Sequence, residues 1–84
     1  MIEQIGKYLS VEKWDKKSTL KEKTEIWDVL TLRGDRLGTV QWHGPWRQYC
    51  FGAEGRAVWS SGCFDDLSEF LKRVNAEHRA VVSV

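Results

Sequence analysis

With 84 residues, 42% of them hydrophobic and 30% charged, the chain suffices for one small domain and is too ordinary in composition for a disordered tail. A formal net charge of +1 lacks the positive excess of a general polyanion binder, and no run of about 18 apolar residues is present to span a membrane. A domain this small buries only about 60% of its unfolded surface, so the five tryptophans, at about 150–250 Å² apiece when buried, carry much of the core.

The opening residues, Met1 to Lys7, contain the early acid Glu3 and no apolar run, so no secretory leader is expected. Cys50 and Cys63 form neither a CxxC pair nor a disulfide-dense scaffold, and the expected setting is a reducing cytoplasm. Residues 1–84 are read as a single domain, with an N-terminal segment and charged linker over 1–23, a β-meander over 24–61, a helix over 63–76 and a tail over 77–84.

In residues 1–14, Ile2, Ile5 and Leu9 fall on one side of a helix; Gly6 weakens it, and Leu9 and Val11 also fit a strand. The expected element is a short helix. Residues 13–23 hold five lysines against Asp15 and Glu22 and read as a solvated linker. From Glu25 to Leu32 the residues alternate and are rich in β-branched and aromatic types, which predicts the first strand.

Gly34-Asp35 then suits a two-residue hairpin turn. The tripeptide Arg33-Gly34-Asp35 also spells an integrin ligand, but glycine is already required there by the turn. That turn pairs Leu32 with Leu37, Val29 with Val40 and Trp27 with Trp42. A loop over Gly44-Pro45-Trp46-Arg47 pairs His43 with Gln48, Trp42 with Tyr49 and Val40 with Phe51. A fourth strand is expected over residues 56–60.

Phe64, Leu67, Phe70, Leu71 and Val74 recur at helical spacing. Asp65 and Asp66 are placed in the first turn of that helix and Lys72 and Arg73 in its last, as the helix dipole favours. Its apolar stripe covers the sheet face bearing Trp27, Val29, Val40, Trp42, Tyr49, Phe51 and Val58. The opposite face, with Leu30, Leu32, Leu37, His43, Gln48, Cys50 and Trp59, is too apolar to stand wholly in water and too polar for a second core. Its candidate covers are the N-terminal segment, a second copy of the chain, or another partner.

Chemistry is sparsely signalled. Trp46 and Arg47 in a proline turn suit a protein hot spot or a stacking platform for a base or a sugar. Cys63 near a helix start could have its thiol pKa lowered, yet neither His43 nor His78 is placed to act as its base. The cysteine and histidine spacings match no standard metal site, adjacent Asp65 and Asp66 point apart on a helix, and Gly52, Gly55 and Gly62 read as turn glycines. No cofactor is expected.

The run Trp42-His43-Gly44-Pro45-Trp46-Arg47-Gln48-Tyr49-Cys50-Phe51, with Ser61-Gly62-Cys63 before a helix, resembles a group of small bacterial and phage-type proteins with a W-x-G-P-W-R-x-Y-C-F signature. The resemblance spans roughly residues 24–75 and departs after Phe51, where this chain has Gly52-Ala53. It implies a ββββα order and a mobile-element origin, and no functional residues, because that group carries no assigned activity.

The expected fold is α+β, a four-stranded antiparallel meander with a C-terminal helix on one face and a short N-terminal segment of helical character near the other. The expected function is a noncatalytic protein-interaction module that self-associates as a homodimer or binds another protein, with Trp46, Arg47, His43, Gln48, Trp59, Leu30 and Leu32 as candidate contacts. The alternative is a nucleic-acid-binding module using Trp46, Arg47, Lys16 and Lys17. A cysteine enzyme through Cys63 is a distant third.

Overall fold

The structure, a computed structural model, describes residues 2–15, 24–55 and 58–82. It is an α+β fold in which five antiparallel strands form one sheet in sequence order and one C-terminal helix packs on it. The strands are β1 (Ile2–Ile5), β2 (Leu9–Lys13), β3 (Trp27–Thr31), β4 (Arg36–His43) and β5 (Gln48–Ala53), and the helix is α1 (Ser61–Val82).

The strand count corrects the expected four at both ends of the sheet. The N-terminal segment is a hairpin and not a helix: Gly6 takes the left-handed φ of 69° at the turn, and Ile5 pairs with Leu9 across it. The i, i+3 spacing of Ile2 and Ile5 imitated a helix, whereas the alternation from Leu9 to Lys13 was the true signal. Among the described residues no fourth strand follows Gly55. Residues 58–60 lie outside any strand, Val58 is 94% exposed, and Arg56 and Ala57 lie outside the described residues. Here the chain leaves β5 to reach the start of α1, so β5 remains an edge strand.

The β4–β5 register is as expected, with His43 opposite Gln48, Trp42 opposite Tyr49 and Val40 opposite Phe51. The β3–β4 register is not: Trp27 pairs with Val40, not Trp42. Two features account for the difference. The turn is longer than two residues, closed by Thr31, whose N–H donates to the Asp35 carbonyl at 2.8 Å and whose carbonyl accepts from Gly34 N–H at 2.9 Å. A bulge also adds one residue to β4, because Val29 opposes Gly38 while the next residue, Leu30, opposes Arg36. Leu37, the extra residue, turns into the core instead of the far face. For Trp27 the slip is two residues, one full period of a strand, so Trp27 and Trp42 still share the helix-covered face.

Helix α1 is longer at both ends than the expected 63–76. Ser60 caps it, its Oγ accepting from Cys63 N–H at 3.2 Å. Asp65 and Asp66 therefore lie in the second turn, and the last turn carries Arg79 rather than Lys72 and Arg73. No glycine or proline stands between Asn75 and Val82, so the helix runs on to Val82, into the span from residue 77 expected as a tail.

Leu67, Phe70 and Val74 of α1 bury against Ile5, Leu9, Val11, Val29, Leu37, Val40 and Tyr49. The β1–β2 turn is tied to the helix as well, Tyr8 N–H donating to Asp66 Oδ2 at 2.8 Å. Within the sheet, Gly38 faces the Phe51 ring, and a Cβ there would meet the Gly52 carbonyl oxygen and that ring at once. Gly38→Ala should destabilise by about 1–3 kcal/mol through overpacking, seen as a fall in thermal midpoint of about 4–8 °C per kcal/mol. Gly44→Ala, with nothing within 4 Å of the added carbon, should stay within about 0.5 kcal/mol of the parent. Equal midpoints for the two variants would refute this account of Gly38.

Candidate functional site

Between the free edge of β5 and α1 runs a groove of roughly 660 Å³. Its helix wall is the stripe Phe64, Ser68, Leu71, Asn75 and Arg79, which repeats every three or four residues along one side of α1. The neighbouring stripe of Leu67, Phe70 and Val74 faces the core, so one helix serves both packing and the groove.

Asn75 sets the geometry. Its Oδ1 accepts from Tyr49 N–H at 2.6 Å and its Nδ2 donates to the Tyr49 carbonyl at 3.2 Å, with both groups buried. A side-chain amide has one acceptor and one donor side, so it pairs with a strand edge as a peptide group of a neighbouring strand would. It follows that both main-chain polar groups of Tyr49 point away from β4. Glu54 N–H points the other way, donating to the Leu37 carbonyl at 2.9 Å. Because main-chain groups alternate along a strand, the polar groups of Phe51 and Ala53 face outward with those of Tyr49. Tyr49 is clamped, whereas no described residue supplies a hydrogen bond to the outward groups of Phe51.

Tyr49 is also the aromatic hub of the domain. Its ring meets Trp27 and Trp42 edge-on, each at 5.4 Å between centroids, and its hydroxyl accepts from Glu25 N–H at 3.0 Å. Burial pushes its phenol above the ordinary value; the Glu25 amide opposes the shift and the Glu25 carboxylate adds to it.

The residues singled out by sequence are scattered with respect to this groove. Trp46 stands at one end of it, 67% exposed, with the His43 ring against it at 4.9 Å. Arg47 takes the left-handed φ of 52° that closes the turn, and its N–H donates to the Gly44 carbonyl at 3.1 Å. Gln48 lines the groove beside Trp46. Trp59 is not on the far sheet face: it folds under the helix start, edge-on to Phe51 and stacked on Phe64 at 5.2 Å. Leu30 is buried, which removes it as a contact, while Leu32 is exposed in the turn after β3. Lys16 and Lys17 lie outside the described residues.

Cys63 is half-buried at the helix start, 3.3 Å from the Ser60 hydroxyl. The histidines sit elsewhere, His43 against Trp46 and His78 against Trp42 at 4.4 Å. Among the described residues no group of three His, Cys, Asp or Glu side chains is arranged to hold a metal ion, and no helix is long and apolar enough to cross a membrane. Sequence reasoning missed Asn75, Phe64, Leu71 and Arg79 as groove residues. The available signal was a lone amide one residue after Val74, on a helix whose other inner positions are apolar. No protein-family model, curated protein or solved structure matches the chain.

Asn75→Ala leaves two main-chain groups of Tyr49 without their partner and should cost about 1–3 kcal/mol, read by denaturant unfolding. Asn75→Asp isolates the donor half of the clamp. A carboxylate repels the Tyr49 carbonyl, so folding raises the pKa of the new carboxyl. The extra destabilisation is then absent below about pH 3.9, the unfolded value, and grows as pH rises to the folded value. A pH-independent difference from the parent would refute the clamp.

Tyr49 supplies a separate pH test. Its folded-state pKa is raised, so its contribution to stability is complete below about pH 10 and is lost as pH rises further. In a Tyr8→Phe variant Tyr49 is the sole tyrosine, and phenolate absorbance should report a midpoint above about 10 in the folded protein. A midpoint at or below that value would contradict the burial argument.

Proposed function

We propose that this domain is a noncatalytic protein-interaction module whose contact site is the groove between β5 and α1. The observation that carries the reading is the free edge of β5, with the Phe51 main chain turned outward into a groove of mixed apolar and polar lining. Unpaired strand edges are templates for another chain, and addition of an extended segment beside a helix is a recurrent mode of protein recognition. Exposed Trp46 at one end of the groove and Phe64, 56% exposed, in its helix wall supply aromatic contact area.

Self-association through the far sheet face has less support. Leu30 is buried there, Asp28 and Glu54 engage Arg36 at 3.0 and 2.9 Å, and the exposed positions include Gln41, His43 and Gln48. A nucleic-acid reading has the exposure of Trp46 in its favour and the even charge balance against it.

Replacing Phe64 by the photo-crosslinking amino acid p-benzoylphenylalanine should yield covalent adducts with protein on illumination in cells, and the same replacement at Gln41 on the far face should not. The adduct mass identifies the partner class, since a second copy would give twice the 9.8 kDa chain. Adducts from Gln41 alone, or from neither position, would overturn the reading.

A further inference from the structure

Resting on that reading, we infer that the groove takes an extended peptide added antiparallel to β5, with an apolar residue opposite Phe51 and an acidic residue two positions further toward its C-terminus. Three observations fix these features.

The first is the short length of usable edge. Asn75 occupies the outward groups of Tyr49, so an incoming strand can pair at Phe51 and Ala53 and then has to lift away from β5. A residue opposite Phe51 exchanges both main-chain hydrogen bonds with it, and cross-strand partners share a face. The incoming side chain therefore points to the helix side, where Phe64, Leu67 and Leu71 line the groove. An apolar side chain suits that position.

The second is charge. Lys72 lines the groove one turn before Asn75, and no carboxylate lines it among the described residues. Glu69 pairs with Lys72 at 3.7 Å, but both side chains are more than 70% exposed, and such pairs are worth little in water. In an antiparallel strand the residue two positions after the apolar anchor reaches the level of Tyr49, where the strand lifts away over Asn75 and comes beside Lys72. A carboxylate meets that cation there.

The third is the contrast between the sheet's two edges. β1 carries Glu3, which holds Arg73 at 3.1 Å, and a charged edge discourages pairing. From Gln48 to Ala53, β5 has no charged residue and no proline. The Cys50 thiol donates to the Gln48 carbonyl at 3.8 Å, and among the outward main-chain groups of β5 the described side chains reach only those of Tyr49, through Asn75.

The test is a selection from displayed short random peptides against the intact chain, followed by amide chemical-shift mapping of the enriched peptides. Enrichment of an apolar residue followed two positions later by Asp or Glu, with shifts centred on Phe51 and Ala53, is expected. Ala53→Pro removes an outward N–H without breaking the β4 ladder and should weaken binding about tenfold or more. Lys72→Glu should weaken it about as much and, used as bait, should select basic residues in place of the acid. Thermal unfolding of both variants verifies that they remain folded, and a groove change at Phe64→Ala serves if Ala53→Pro does not fold.

Enrichment of basic or purely apolar peptides at the groove would overturn the acidic occupant and leave the interaction reading standing. Peptides that bind without moving the Phe51 and Ala53 amides would overturn strand addition. A thymidine oligonucleotide that binds these residues more tightly than any peptide, with steep salt dependence, would overturn both.

Discussion

The two hydrogen bonds between Asn75 and the main chain of Tyr49 set where α1 lies against the sheet. Apolar packing of Leu67, Phe70 and Val74 on the strands is favourable but has little direction, and a helix held by it alone can rotate or slide at small cost. An amide joined at both its oxygen and its nitrogen to one residue of β5 removes that freedom. The choice of a neutral amide matters. It satisfies one donor and one acceptor without bringing a charge into a buried site, where desolvation would oppose it. With Asn75 fixed, the helical repeat sends Leu71 and Phe64 to the groove and leaves Phe70 and Val74 beneath.

Tyr49 is the other half of that constraint and uses each part of its structure. Its main chain meets Asn75, its ring lies between Trp27 and Trp42, and its hydroxyl accepts the Glu25 amide. Trp27 continues the contact to the helix, edge-on to Phe70 at 5.3 Å. One residue thus links the segment before β3, the middle of the sheet and the last third of α1. The domain has a small core, and this linkage adds the specificity that apolar area alone does not provide.

Much of this was legible in the sequence where local rules act without competition. The proline loop after His43 fixed the β4–β5 register, and period-two alternation assigned Trp27, Val29, Val40 and Trp42 to one face. That face assignment outlasted an error in the β3–β4 pairing because the slip for Trp27 was a full period. The bulge at Leu37 was invisible, since nothing in Arg36-Leu37-Gly38 distinguishes a bulged strand from a regular one until the Phe51 ring over Gly38 is known. The N-terminal hairpin was misread because two isoleucines three apart outweighed a glycine whose positive φ marks a turn. Where a strand was expected after Gly55, tertiary packing intervenes: Trp59 lies edge-on to Phe51 and stacks on Phe64 beside the helix start.

The groove itself was not legible, and its absence from the sequence reading follows from that last point. A fourth meander strand would have covered β5 and used its outward amides, leaving no open edge beside α1. Because the chain turns away at Gly55, the sheet ends at β5, and α1 returns alongside it closely enough for Asn75 to seal one position but not the next. The open site is thus what remains when a strand is given up for a helix cap and an aromatic stack. Its location at Phe51 depends on no special sequence motif, only on the spacing of two outward positions along one edge and the reach of one amide.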